Sequence, residues 1–338
     1  MQERLLFIDW MKALGMLFII IGHFSPPPYL QIITYSFSVQ FFFFISGFLF
    51  RREENLNQFA CKCFRTLLIP FYIWGGLMLV FYNLQQRSMD IFFYSLEGLF
   101  LGCNNFMGVR GCGELWFIVT LLWLKIIMQF NKRDYMTWIL VLLSILCAVA
   151  YKYLISNTQI AYWGVGVFNS FVAYPFFAIG QSLSKYKDGI KKIASRIDKY
   201  PFVIFISILA FIAITVVLIA PMNGIVHMVY GGYGNNILLY LIIGIIGIIY
   251  MFFIAIFLSK IKSWYKCVRY VNTGSIMVLG IHIGFVNKIR PYLVSIFGNE
   301  GFGFELSIIS ASVLLLLIFI PMIKFFTTYF PITLGYRN

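Results

Sequence analysis

The chain has 338 residues, of which 61% are hydrophobic, 20% aromatic and only 11% charged, and its formal net charge is +14. A soluble domain carries about 25% charged residues, so this composition excludes a soluble protein and indicates one integral-membrane unit over residues 1–338. The positive balance would suit nucleic acid, but the positions of the basic residues account for it in another way.

Apolar stretches of about 20 residues mark membrane helices. Ten are expected in chain order: Leu5–Phe24, Ile32–Phe50, Leu67–Tyr82, Leu115–Phe130, Met136–Leu154, Val165–Leu183, Phe202–Ala220, Asn236–Leu258, Ser275–Val294 and Leu306–Phe326. Arg4 and the run after it resemble a signal peptide. The run ends in His23-Phe24 and a Ser-Pro-Pro-Pro turn without a small-residue cleavage site, so it is expected to remain as the first span. Ile91–Leu101 is too short to span; with Asp90 and Glu97 it is expected to form an interfacial or re-entrant outer helix. The fold class is therefore an all-α polytopic bundle.

Basic residues cluster after alternate spans. Arg51, Arg52, Lys62 and Arg65 follow the second. Lys185, Lys187, Lys191, Lys192, Arg196 and Lys199 follow the sixth, and Lys260, Lys262, Lys266 and Arg269 the eighth. The opposite loops hold only Arg87, Arg110, Lys152, Lys288 and Arg290. This is a positive-inside pattern with both termini cytoplasmic. It makes the basic excess topological and removes the need for a nucleic-acid partner. Six cysteines are scattered without metal-ligand spacing. Cys103 and Cys112 share one outer loop, either paired in an oxidising compartment or as two thiols.

The first helix carries the chemistry. A charge in hydrocarbon costs roughly 2.5–3.5 kcal/mol on insertion scales, so such groups face a bundle interior or a wet cavity. Asp9, Lys12 and His23 lie on one stripe of the helix, because eleven residues at about 100° each return close to the starting face. Lys12 and His23 are about 16 Å apart along the axis. The orientation puts Asp9 and Lys12 near the cytoplasmic side and His23 at the outer mouth. A polar stripe of this kind suits an enzyme or a transporter.

Several segments resemble the acyltransferase-3 family of bacterial membrane proteins, and its fucose 4-O-acetylase-like, polysaccharide O-acetyltransferase branch in particular. "DWMKALGMLFIIIGH" resembles the family's opening helix, with Lys12 where many members have Arg. "FSVQFFFFISGFLF" is similar to its second span, ending in Ser46-Gly47, and "FRTLLIPFYIW" to the entry of its third, with Arg65 and Pro70. "GELWFIVTLL", "YPFFAIGQSL" and "NTGSIMVLGIH" resemble later segments in the same order. Many relatives have His-x-Pro where this chain has Ser38-Val39-Gln40. The resemblance implies transfer of an acetyl or other acyl group from cytoplasmic acetyl-CoA, a co-substrate rather than a resident cofactor, to a sugar hydroxyl. The implied acceptor is a cell-envelope polysaccharide or lipid-linked glycan, and the implied location is the bacterial cytoplasmic (inner) membrane.

Acyl transfer to an alcohol needs a base, oxyanion stabilisation and positioned substrates. His23 is the expected general base or acyl carrier; otherwise it is a helix-end imidazole bonded to a carbonyl. Lys12 is expected on the donor, or paired with Asp9 as its i,i+3 neighbour. Arg65 is the first choice for the CoA phosphates, followed by Arg51, Arg52 and Lys62, which otherwise contact lipid headgroups. Glu114 and Trp116 suit a sugar, by hydrogen bonding and stacking, or form an interfacial anchor pair. An ionisable group within a span is a functional candidate, and His282 is one. Ser46 beside Gly47 suits helix packing more than catalysis. His227 is expected at the surface and Lys125 is expected to snorkel. The competing transporter reading lacks its usual pointers, repeated halves and paired broken helices.

Overall fold

The computed structural model describes residues 5–86, 88–103, 111–155, 164–197 and 202–336. Arg4, Arg87, Arg110 and Lys199 lie outside the described residues. In chain order the helices are α1 (Leu6–His23), α2 (Pro28–Leu49), α3 (Leu56–Cys63), α4 (Ile69–Gln86), α5 (Met89–Leu101), α6 (Trp116–Phe130) and α7 (Asp134–Ala150). Then come α8 (Val165–Leu183), α9 (Lys187–Ile197), α10 (Phe202–Asn223), α11 (Ile237–Leu258), α12 (Tyr265–Thr273), α13 (Ser275–Phe297) and α14 (Phe302–Tyr329). The described strands are a two-residue antiparallel pair, β1 (Val226–His227) and β2 (Gly232–Tyr233).

Among the described residues eight stretches are long and apolar enough to cross a membrane, including Leu56–Tyr82, where a π-helical turn at Phe64–Leu68 joins α3 to α4. The protein is a multi-pass membrane helix bundle. Ten spans were expected; α8 and α13 form as helices but are not among those eight. The physical reason is the same for both. They carry polar side chains, Asn169, Ser170 and Gln181 on α8 and His282, Asn287, Lys288 and Arg290 on α13, which lower their hydropathy; α8 also faces protein over most of its length. On α8, 12 of 19 residues are buried, against four of 22 on the very apolar α10.

α1 sits at the centre, against α2, α11, α12, α13 and α14. α2 packs most extensively on α8, and two glycines set that contact. A Cβ on Gly47 would overlap the Phe177 carbonyl, and one on Gly180 would overlap the Phe44 carbonyl. The two backbones touch because each presents a glycine to the other, the usual way for membrane helices to gain close van der Waals contact.

α5, expected as an interfacial or re-entrant outer helix, forms as a 13-residue helix. Ser88 caps its N-terminus by accepting from the Ile91 amide, and Gly102 ends it in the left-handed region at φ +67°. Between these points it folds back along α4, placing Leu99 against Gly75 and Phe100 against Tyr72. The Cys112 amide then donates to the Cys103 carbonyl at 2.9 Å, so the 3-10 turn Gly113–Leu115 and α6 begin inside the bundle. Both cysteine side chains are buried.

The glycine contact makes a direct prediction. Gly180→Val should cost a large part of the stability, since overpacking against backbone exceeds the usual 1–3 kcal/mol of a core misfit. Gly76→Val, at a position with nothing within 4 Å of its Cβ, should be tolerated. Size-exclusion profiles and thermal melts in detergent separate the two.

Candidate active site

A cavity of about 560 Å³ opens at the end of the bundle that carries the hairpin. α1 contributes Met16, Ile19 and His23 to its wall; α2 contributes Tyr35, Ser38, Val39 and Phe42. The start of α6 adds Glu114, Trp116 and Phe117, α13 adds Leu279, Ile283 and Asn287, and the hairpin adds His227 and Tyr230.

His23 is the last residue of α1. Its Nδ1 bonds the Ile19 carbonyl at 2.8 Å. His282, fully buried on α13, does the same with the Val278 and Leu279 carbonyls at 2.9 and 3.0 Å. A carbonyl only accepts, so Nδ1 carries a proton in each ring, and in the neutral imidazole Nε2 is then the acceptor. The two rings meet edge to face, with centroids 4.8 Å apart and planes at 79°. His282 Nε2 has no hydrogen-bond partner among the described residues.

Tyr35 was not singled out from sequence. Its hydroxyl donates to the Gly22 carbonyl at 3.0 Å, and its ring lies where a Cβ of Gly22 would be. The ring stands 6.2 Å from His23 and 5.7 Å from His227, linking the helix-end imidazole to the hairpin. Its one sequence signal is spacing, since residues 35, 38, 39 and 42 share a helix face. His227 is half-buried in the cavity wall; burial lowers its pKa, which keeps the ring neutral near pH 7. Glu114 lies within electrostatic reach of His282 and Tyr35. The sequence placed Glu114 and Trp116 at the outer end of a span. α5 instead delivers them to the inside of the bundle, and Trp116 is only 6% exposed.

A second cavity, about 220 Å³, lies at the basic end and is lined by Lys12, Ser46, Arg51, Lys62, Lys125 and apolar neighbours. Its rim is braced. Arg52 Nε donates to the Met128 carbonyl at 3.1 Å, and Gln129 and Glu53 exchange bonds of 2.7 and 3.2 Å. Lys62 pairs with Glu53. Lys187 of α9 lies over the Phe48 ring at 5.4 Å, its pKa lowered by partial burial and by the charge of Arg51. The structure thus groups Lys12, Arg51 and Lys62, adds Lys125, and puts Ser46 with the cations. Arg65 does not line this cavity; it sits in the π turn with Nε buried and without a partner among the described residues.

Asp9 lines neither cavity. It is 5% exposed and faces α12, where Asn272 Nδ2 donates to its carbonyl at 2.9 Å and to Oδ1 at 3.3 Å. The Tyr265 hydroxyl reaches Oδ2 at 3.5 Å. At the other end of α1, Arg290 Nε donates to the Phe24 carbonyl at 2.9 Å. Asn272→Ala should therefore lower the melting temperature by several degrees without changing oligomeric state, because hydrogen bonds to a charged group are worth about 1.5–3 kcal/mol. A thermal-shift assay in detergent measures it.

No curated protein and no solved structure matches the chain. A family model described as an acyltransferase domain, acyltransferase 3, matches residues 5–333. That range includes both cavities, the imidazole pair and every helix that positions them, and on it the chain belongs to the acyltransferase-3 family.

Proposed function

We propose that this protein is a membrane O-acyltransferase that moves an acetyl group from acetyl-CoA, held at the basic end, to a sugar hydroxyl in the cavity beneath the hairpin. The observation that carries the proposal is the imidazole pair: two rings with Nδ1 bound to carbonyls, His23 in the wall of a cavity large enough for a sugar and His282 buried directly behind it. The basic end is the cytoplasmic one by the distribution of Lys and Arg. The location is the bacterial cytoplasmic membrane and the acceptor a cell-envelope polysaccharide or lipid-linked glycan, as in the polysaccharide O-acetyltransferase branch that the motifs resemble.

In the proposed reaction His23 Nε2 takes the proton of the acceptor hydroxyl, and the oxygen attacks the thioester carbonyl. The carbon–sulfur bond breaks, an ester forms, and the departing thiolate takes the proton back from the imidazolium. His282 is a positioning residue: its ring packs edge to face on the His23 ring and holds it in place. Imidazole is the side chain suited to taking up and returning a proton in such a step. Glu114 accepts hydrogen bonds from sugar hydroxyls, and Trp116 supplies an apolar wall.

Lys12 has a separate role. It lies about 16 Å along α1 from His23, too far to share a carbonyl with it. With Arg51, Lys62 and Lys125 it holds the phosphates and the arm of the donor, the chemistry for which clustered cations are suited.

His23→Ala should lower kcat by at least about 10²-fold, the lower end for loss of a general base, with acetyl-CoA affinity unchanged. Lys12→Ala should raise KM for acetyl-CoA and spare kcat. Thiol release and ester formation by purified protein report both. Full activity in His23→Ala would overturn the assignment, and an acetylated His23 peptide after acid quench would replace the base with a covalent carrier. Translocation of a glycan lipid without thioester cleavage would identify a transporter.

A further inference from the structure

The two cavities lie end to end along shared helices. On α1 the lining residues are Lys12 for one cavity and Met16, Ile19 and His23 for the other. On α2 they run from Tyr35, Ser38, Val39 and Phe42 to Ile45, Ser46 and Leu49. These steps of three and four residues trace one continuous face on each helix. Yet the cavities share no lining residue, and Phe42 and Phe117 form the wall of the reaction cavity at the level where the two approach.

Phe42 occupies the level between them. On one side its ring rests on Gly15, where a Cβ would stand 2.7 Å from Cε2 and 2.9 Å from Cζ. On the other it meets Phe117 edge to face, at 5.9 Å and 72°. Phe117 is fixed in turn by stacking on the fully buried Phe43, at 4.7 Å and 28°. The two rings differ in how they are held. Phe117 is held by an aromatic stack, whereas Phe42 is seated on the bare backbone of Gly15 and packs edge to face on Phe41 at 5.9 Å and 73°.

We propose that Phe42 is the moving part of a gate between the donor and reaction cavities, and that with Phe117 and Gly15 it selects the acyl group by width. This rests on the acyltransferase reading. A thioester entering at the basic end must carry its carbonyl to His23, about 12 Å along α1 beyond Gly15. The arm and acyl group therefore pass the two rings as a single thin chain. No bond is made or broken there; the rings act by steric fit. Acetyl is no wider than the arm that carries it. An α-branched or aromatic acyl group is wider and must displace the stacked Phe117 as well.

The test compares acetyl-CoA with isobutyryl-CoA on the full chain in nanodiscs, reading thiol release. Wild type should favour acetyl in kcat/KM by at least about tenfold, the discrimination that one or two methyl groups command in a close-fitting site. Phe42→Ala should bring the two donors close to parity, and Phe117→Leu should do so if Phe42→Ala does not fold. Phe42→Trp should lower kcat for acetyl-CoA with KM unchanged, because the donor cavity is untouched. Phe211→Ala, on the 72% exposed face of α10, should leave the ratio as in wild type. An unchanged ratio in folded Phe42→Ala and Phe117→Leu overturns the gate while leaving the acyltransferase reading intact. Absence of thiol release from any thioester by wild type overturns that reading, and selection by acyl width falls with it.

Discussion

The structure depends on α1 being enclosed and pinned at both ends. This helix carries Asp9, Lys12 and His23 through an apolar bundle, and each would cost several kcal/mol against lipid. Asn272 binds it at Asp9 and Arg290 at the Phe24 carbonyl. Hydrogen bonds to charged groups, worth about 1.5–3 kcal/mol each, offset much of the burial cost. They also set the register of α1 against α12 and α13, and register is what brings His23 to His282. Without both anchors the imidazoles have no reason to meet.

Close approach of backbones is the second requirement. Gly47 and Gly180 let α2 and α8 touch, which fixes the face of α2 turned to α1. Gly22 accepts the Tyr35 ring and Gly15 the Phe42 ring. Each glycine is thus a place where a functional side chain leans on bare helix. α5 adds the third wall, since it starts α6 inside the bundle and carries Glu114 toward the imidazoles.

The basic cavity follows from electrostatics. Lys12, Lys62 and Lys125 converge on one small space, and like charges in a partly dehydrated cavity repel one another. Glu53 offsets part of that repulsion by pairing with Lys62, and the rim is braced by Arg52, Glu53 and Gln129. This is the end assigned to the donor in the proposed reaction.

Much of this was legible in the chain. Composition established a membrane bundle, hydropathy located most helices, and the eleven-residue step from Lys12 to His23 put both on one stripe, because periodicity within a helix is a local property. Cation clustering was partly visible too: Arg51 and Lys62 stand near Lys12 as expected. Partners distant in sequence were not visible. The meeting of His23 with His282, the turn of Asp9 toward Asn272, the entry of Glu114 and the separation of Arg65 from the cation cavity are decided by how helices pack. So is the place of Phe42, since one phenylalanine among 38 gains meaning only from the glycine and the ring it touches. Local periodicity determined which side chains face inward; tertiary contact decided which of them share a cavity.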